Sequence, residues 1–353
     1  APLGRQELRV LKRRRASGEF GKHSFPFAYV LIVPFVLPVL VHFWSIAIQV
    51  VRNMPAFTPA PFRVLSWFFL AVPVFFLVLI IAILVYKFRS PGRKKWPWLV
   101  RFADANGLKF SLISRDPRYP GLIFGRGHDC KALTHLYSST GILADVGSYQ
   151  YTTGSGKESR TYTWHFAAFR LPQRVPHLVL DAKVNNRKIW GTNLPDSFDS
   201  SQRLTLGAPF DDYYELYAPS GYGQDAFYLL PPHVLEALLN APVVYDIELV
   251  DNWLFCYTQS SQDLSDPATW RLFETITNGM VGSLSPVVDR YRDRRVAPER
   301  KAAKGRRRKG ETQVASQGAR LRTTSNTAVV YLALGIVLIV FCIIVIGAFS
   351  TSL

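Results

Sequence analysis

Three long apolar segments constrain most strongly what this chain can fold into. They are Phe27–Val51, Val64–Tyr86 and Thr327–Phe349. A helix rises about 1.5 Å per residue, so each segment could cross a hydrocarbon core about 30 Å thick as a helix. The sequence therefore predicts three transmembrane helices, with the first two forming a hairpin at 27–86.

The distribution of charge along the chain indicates whether the protein binds nucleic acid. The chain has 42 lysine and arginine residues against 25 aspartate and glutamate residues, a formal net charge of +17. Between residues 102 and 291 the balance reverses, with 15 basic and 20 acidic side chains. A nucleic-acid-binding domain is expected to carry the basic charge on its own surface. The pattern therefore argues against a nucleic-acid partner.

The basic excess lies beside the apolar segments, in 1–26, 87–101 and 292–323. Basic residues that flank a span stay on the cytoplasmic side of the membrane. This rule predicts a cytoplasmic N-terminal segment 1–26 and a cytoplasmic domain, with the C-terminus outside. Arginine exceeds lysine by 29 to 13, which favours a bacterial source. The expected localisation is a bacterial inner (plasma) membrane, as a multi-pass protein.

Residues 99–291 are numerous enough for one domain with its own core. Alternating apolar positions typical of strands occur at Leu108–Ile113, Leu143–Thr152 and Thr161–Leu171. A helix is predicted from Asp266, as its N-cap, to Tyr291, with Pro267 in the first turn. Strands followed by late helices predict an α+β domain with a mainly antiparallel sheet.

Two turns are predicted inside this domain. Gly154-Ser155-Gly156-Lys157 is similar to a phosphate-binding loop, but Tyr151 and Glu158 occupy the positions where that loop needs glycine and serine or threonine. We interpret it as the turn of a β-hairpin. A second hairpin is predicted across Asp251-Asn252, between two apolar runs.

The segment 292–323 is basic and of low complexity, and is predicted to be a disordered linker. Basic clusters beside a membrane attract anionic lipid, at about 1 kcal/mol per lysine or arginine. The alternative is that these charges only set the membrane topology. The residues predicted to contact anionic inner-leaflet lipid or an acidic protein are Arg306, Arg307, Arg308, Lys309, Arg93, Lys94 and Lys95.

Few residues suggest chemistry. His128, Cys130 and His135 are three potential metal ligands within a short stretch, but they lack the repeated close pairs of common zinc sites. Asp211-Asp212 is a possible acid–base pair, although on a strand the two side chains would point to opposite faces. Both sets are interpreted more simply as ordinary turn, core and loop residues. No cofactor and no disulfide framework are predicted.

Three stretches carry a resemblance to known proteins. Phe210–Tyr217 (FDDYYELY), Ala226–Leu238 and Trp253–Tyr257 are similar to a pattern in uncharacterised bacterial membrane proteins. In that group a transmembrane hairpin precedes a cytoplasmic α+β domain. The resemblance implies this fold and implies no activity or site residue.

The sequence therefore favours a non-enzymatic membrane protein whose tethered cytoplasmic domain binds a partner or ligand. It could serve as an accessory or regulatory subunit, or associate with a second copy of itself. The alternative is a membrane-associated enzyme with a metal or acid/base site in that domain.

Overall fold

The computed structural model describes residues 4–21, 27–53, 55, 59, 71–72, 74–79, 81–82, 92–115, 117–186, 191–240, 244–296 and 314–324. The chain divides into two compact units, Ala1–Trp98 and Leu99–Leu353. Helix α3, Gly92–Ala105, contains the boundary between them.

The N-terminal unit contains helices α1 (Arg5–Ala16) and α2 (Phe27–Arg52). The last turn of α1 is basic, which stabilises the negative end of its dipole. Trp96 anchors this region, because the Arg15 guanidinium lies 5.2 Å from the centroid of its ring and the Phe20 ring lies 5.9 Å from it.

Helix α2 covers the first of the three predicted spans. Among the described residues, however, no helix combines the length and the apolar composition needed to cross a membrane. This finding overturns the prediction of three transmembrane helices. A span needs about 20 consecutive apolar residues, and no helix among the described residues supplies them. Most of Val64–Tyr86 and all of Thr327–Phe349 lie outside the described residues.

The second unit is built on an antiparallel sheet, which confirms the predicted α+β class. Seven strands have the order β1-β2-β3-β4-β7-β6, with β8 pairing on β4, and β5 and β9 form a separate two-stranded sheet. The strands are β1 Lys109–Arg115, β2 His128–Tyr137, β3 Leu143–Thr153, β4 Arg160–Ala182, β5 Ser197–Phe198, β6 Arg203–Leu204, β7 Tyr214–Tyr217, β8 Asp246–Thr258 and β9 Thr323–Thr324.

Short helices follow the main strands. The helix predicted to start at Asp266 does so, since the Asp266 side chain accepts a hydrogen bond from the Ala268 N–H at 2.9 Å. A wider π-turn at Ile276–Val281 interrupts it and joins its two halves. The helices of this part are α4 Phe210–Tyr213, α5 Gly223–Leu229, α6 Pro232–Leu239, α7 Pro267–Thr275 and α8 Gly282–Arg290.

Strands β4 and β8 are the longest pair in the sheet, and aromatic side chains cover one of its faces. Along β8 the rings of Trp253, Phe255 and Tyr257 stack at successive interplanar angles of 15° and 10°. They occupy every second position, as the pleat of a strand requires. Phe124, from the loop between β1 and β2, packs its ring edge-on against Phe166 of β4.

One predicted hairpin forms and the other does not. Residues 154–159 connect β3 to β4, with Thr153 pairing with Arg160, as expected of the Gly154–Lys157 turn. In contrast, β8 continues through Asp251, so the predicted hairpin there is wrong. Asp251 has a φ of 53° and lies opposite a register shift in β4. The extra residues at the register shift belong to β4, and Asp251 and Asn252 stay within one continuous strand β8.

Both described ends of the predicted linker pack on this unit. Leu321 lies in the aromatic core, and β9 pairs with β5. Gly318 approaches the buried Tyr222 so closely that a Cβ atom on Gly318 would lie 2.3 Å from Cζ of the ring. Residues 297–313 of the predicted linker are outside the described residues.

We expect Gly318→Ala to lower the free energy of unfolding by about 1–3 kcal/mol, because the new methyl group must displace Tyr222 or the tail. Gly279→Ala is the matched control, since no atom lies within 4 Å of the Cβ position there. It should be neutral or stabilise by up to about 1 kcal/mol. Urea unfolding of both variants checks this, and equal stabilities would contradict the described packing of the tail.

Candidate functional site

The structure does not gather the three predicted metal ligands into one site. His128 is exposed at the start of β2, whereas His135 is buried near its end. The Cys130 thiol lies 3.0 Å from the Arg126 carbonyl oxygen, to which it donates. Within the described part of the chain, no group of three histidine, cysteine or acidic side chains could hold a metal ion.

The Asp211-Asp212 pair is divided between two environments. Both Asp211 oxygens accept backbone hydrogen bonds, from Leu206 N at 3.0 Å and Gly207 N at 2.8 Å. Asp212 is exposed on the same short helix. Asp211 therefore stabilises its own loop, and the pair does not share a proton.

The basic residues predicted to contact lipid lie mostly beyond the described side chains. Lys95 is half-buried in helix α3. Arg93 and Lys94 lie in the same helix, and only their backbone is described. Arg306, Arg307, Arg308 and Lys309 lie outside the described residues.

A serine–histidine–aspartate network surrounds His135. Its Nε2 lies 2.8 Å from Ser114 Oγ, and its Nδ1 lies 2.8 Å from Asp145 Oδ1. The other Asp145 oxygen accepts a hydrogen bond from the Tyr119 hydroxyl at 2.9 Å. His135 and Asp145 are only 3% and 2% exposed, while Ser114 is half-buried. Three strands contribute one residue each to the network: β1, β2 and β3.

The tautomer of His135 follows from these bonds. The Asp145 carboxylate accepts from Tyr119, and burial together with the Asp145 charge raises the pKa of Tyr119, which keeps its hydroxyl protonated. The same carboxylate then accepts from His135 Nδ1–H, so the lone pair of a neutral ring lies on Nε2. The Ser114 hydroxyl has two acceptors, Ser111 Oγ at 3.4 Å and the lone pair of His135 Nε2 at 2.8 Å, and the shorter distance favours donation to Nε2.

A distortion of β2 aims His135 at this network. Ala132 pairs with Tyr149 on the aromatic face of the sheet, and regular alternation would turn position 135 to the opposite face. A register shift between Leu133 and Leu136, where Thr134 has a φ of 45°, turns His135 back to the aromatic face. A positive φ is unfavourable for a β-branched residue such as threonine.

Gly147 on β3 provides the space that the bulged backbone and the β-carbon of His135 need. A Cβ atom at Gly147 would lie 2.4 Å from Cβ of His135, which excludes any larger residue. Sequence reasoning named His135 but missed Ser114 and Asp145, because no spacing motif connects the three. Their proximity depends on the strand register, including the bulge.

A second serine–histidine pair lies on β3 and β4. Ser148 Oγ is 3.0 Å from His165 Nδ1, and burial lowers the pKa of His165. Among the described residues, no carboxylate forms a hydrogen bond or ion pair with His165. This pair therefore lacks the acidic member that the His135 network has.

Two buried carboxyl groups lie near the junction of β4 and β8. Asp246 is fully buried and accepts from Ala182 N and Asn193 Nδ2, both at 2.9 Å. Burial, with a smaller contribution from the charge of Asp181, raises the pKa of Asp246 to about 7. Burial also raises the pKa of Asp181.

Glu248 connects four separated parts of the unit. One of its oxygens accepts from Leu122 N and from the Tyr257 hydroxyl, both at 2.7 Å. The other lies 2.8 Å from His177 Nε2. His177 Nδ1 in turn accepts from Leu321 N at 3.0 Å, which ties the C-terminal tail to the core.

Asp293 holds the two described ends of the predicted linker together. Its carboxylate accepts from Arg295 N and from Ala315 N, each at 2.9 Å, and from the Tyr222 hydroxyl at 2.7 Å. The Arg295 guanidinium lies 4.1 Å from the centroid of the Tyr222 ring and pairs with Asp225 at 2.8 Å. Asp293 therefore links residue 295 to residue 315.

We expect Asp246→Asn to change how stability depends on pH. The raised pKa means that the folded state binds more protons than the unfolded state between about pH 4 and 7, so wild-type stability falls as pH rises through that window. The full shift corresponds to about 4 kcal/mol. Asparagine does not titrate. The free energy of unfolding of the variant, measured with urea at pH 5 and pH 8, should therefore differ much less between the two pH values than that of the wild type. An unchanged pH dependence would contradict a proton on Asp246.

Comparisons with known proteins do not establish a family. No protein-family model matches the chain, and no curated protein sequence matches it. One solved structure with some likeness is the mycobacterial trehalose monomycolate transport factor A. The identity is 14% and the TM-score 0.35, over 54% of this chain and 93% of that one. A likeness this weak carries no argument about fold or function.

Proposed function

We propose that this chain is a binding protein that contacts the anionic inner leaflet of a bacterial plasma membrane through the basic segment 297–313. The observation that carries the proposal is the Asp293 contact with both Arg295 N and Ala315 N. It joins the two ends of the most basic part of the chain at one place on the α+β unit.

The charge of the segment fits this role. It contains seven basic and two acidic residues, whereas residues 102–291 carry more acidic than basic groups. The rest of the Leu99–Leu353 unit has 21 basic and 21 acidic residues, so its net positive charge lies in segment 297–313. Each basic residue near an anionic surface contributes about 1 kcal/mol, and salt weakens the attraction.

The fixed ends also favour binding. A segment whose ends are held close together loses less conformational freedom on binding than a free tail of the same length. Burial and backbone contacts hold these ends: the Asp293 side chain is 6% exposed, and backbone N–H groups supply two of its hydrogen bonds.

Helix α1 provides a second basic surface, in the N-terminal unit. Arg9, Lys12 and Arg13 are exposed on it, as is Val10. A helix with exposed cations and an apolar residue can lie at a lipid headgroup surface.

We expect Arg307→Gln/Arg308→Gln to weaken binding of the full-length chain to vesicles that contain phosphatidylglycerol by about 30-fold, from about 1 kcal/mol per residue. Lys157→Gln/Arg160→Gln is the matched control, because it removes two exposed cations from the β3–β4 turn. Vesicle co-sedimentation at low and high salt measures both variants. The control should bind like the wild type, and none should bind pure phosphatidylcholine.

Two outcomes would overturn the proposal. If both variants lost binding equally, the net charge of the whole chain, and not segment 297–313, would determine vesicle binding. If the wild-type chain did not bind anionic vesicles at low salt, anionic lipid would be ruled out as the ligand. An acidic protein would then be the partner to test.

A further inference from the structure

We propose that Ser114, His135 and Asp145 form a nucleophilic site that hydrolyses a carboxylic ester. This inference goes beyond the proposed lipid contact and does not depend on it. It rests on the hydrogen-bond order of the three side chains, on their different exposure and on the backbone distortion that places His135.

The hydrogen-bond order is that of an activated serine. Ser114 Oγ to His135 Nε2 and His135 Nδ1 to Asp145 Oδ1 are each 2.8 Å, within the range of about 2.6–3.2 Å that proton transfer requires. The tautomer deduced above places the basic lone pair opposite the hydroxyl hydrogen.

The exposure of the residues follows their roles. Ser114 is half-buried near the end of β1, which is an edge of the sheet among the described strands. The next residue, Arg115, is exposed. Ser114 is thus the only member of the network that is not buried, while the histidine and the aspartate are shielded from water.

The reaction balances without any further group. Ser114 Oγ attacks the ester carbon while its proton passes to His135 Nε2, which gives a tetrahedral oxyanion. The C–O bond to the alcohol then breaks, and His135 returns the proton to the leaving oxygen. Water attacks the acyl-serine with His135 again as base, and releases the acid and the free serine.

Asp145 and Tyr119 are positioning residues in this scheme. Asp145 fixes the tautomer of His135 and stabilises the imidazolium that forms after proton transfer. Tyr119 holds the second Asp145 oxygen and packs its ring between Phe124 and Trp253, at 5.1 and 5.2 Å between centroids. The carboxylate is therefore fixed at both oxygens.

A fluorophosphonate probe tests the nucleophile directly on the purified full-length chain. It should label Ser114, as located by peptide mass spectrometry, and leave Ser148 unlabelled. Ser148 is the matched control because it also bonds a histidine, but that histidine has no acidic partner among the described residues. Labelling of neither serine, or of both equally, would overturn the proposal.

Two variants separate catalysis from folding. His135→Gln and Asp145→Asn should each slow labelling by about 100-fold or more, because general-base assistance contributes at least that much. Asp145→Asn keeps the size of the side chain, and its melting temperature and circular dichroism spectrum report the fold. Normal labelling in a folded Asp145→Asn variant would overturn the role of Asp145.

A thiol at the same position gives an independent test. Ser114→Cys should react with iodoacetamide faster than Ser148→Cys at neutral pH, because His135 can accept the thiol proton and the thiolate is the reactive form. Peptide mapping distinguishes these sites from Cys130 and Cys256, of which Cys256 is buried. Equal rates at the two positions would show that the His135 network does not activate its serine.

Discussion

The buried Glu248 carboxylate is the interaction on which the rest of the second unit depends. It accepts hydrogen bonds from the β1–β2 loop at Leu122 and from Tyr257 on its own strand, and it lies beside His177 of β4. A charge taken out of water is costly unless it is paired and hydrogen-bonded. These partners can only be supplied when the loop, the two longest strands and the tail are in register.

The same arrangement supports the serine–histidine–aspartate network. The loop that Glu248 holds at Leu122 also carries Tyr119, whose hydroxyl fixes Asp145. Tyr119 packs on Trp253 and Phe255 of β8, next to Tyr257, the other donor to Glu248. Glu248 thus orients the network through the loop and the aromatic face, without touching Ser114 or His135.

Local patterns in the sequence predicted part of this structure. The alternation at Leu143–Thr152 and the Asp266-Pro267 helix start depend on near neighbours, and both are present. The continuous β8 was missed because Asp251 is typical of a turn, and only pairing with β4 keeps it within a strand. The length of the apolar segments predicted membrane-spanning helices, but none of the helices among the described residues has the length and apolar composition that spanning a membrane requires. Ser114, His135 and Asp145 meet through strand register, which a single sequence does not reveal.

The tail contact has a consequence for the order in which the unit folds. Leu321 N bonds His177, a residue 144 positions earlier in the chain, and β9 pairs with β5 across a similar separation. Closing such distant contacts is slow, and the N-terminal part of a chain leaves the ribosome first. During synthesis, His177 therefore lacks its contact with Leu321 N, and β5 lacks its partner strand, until residues 321–324 have emerged.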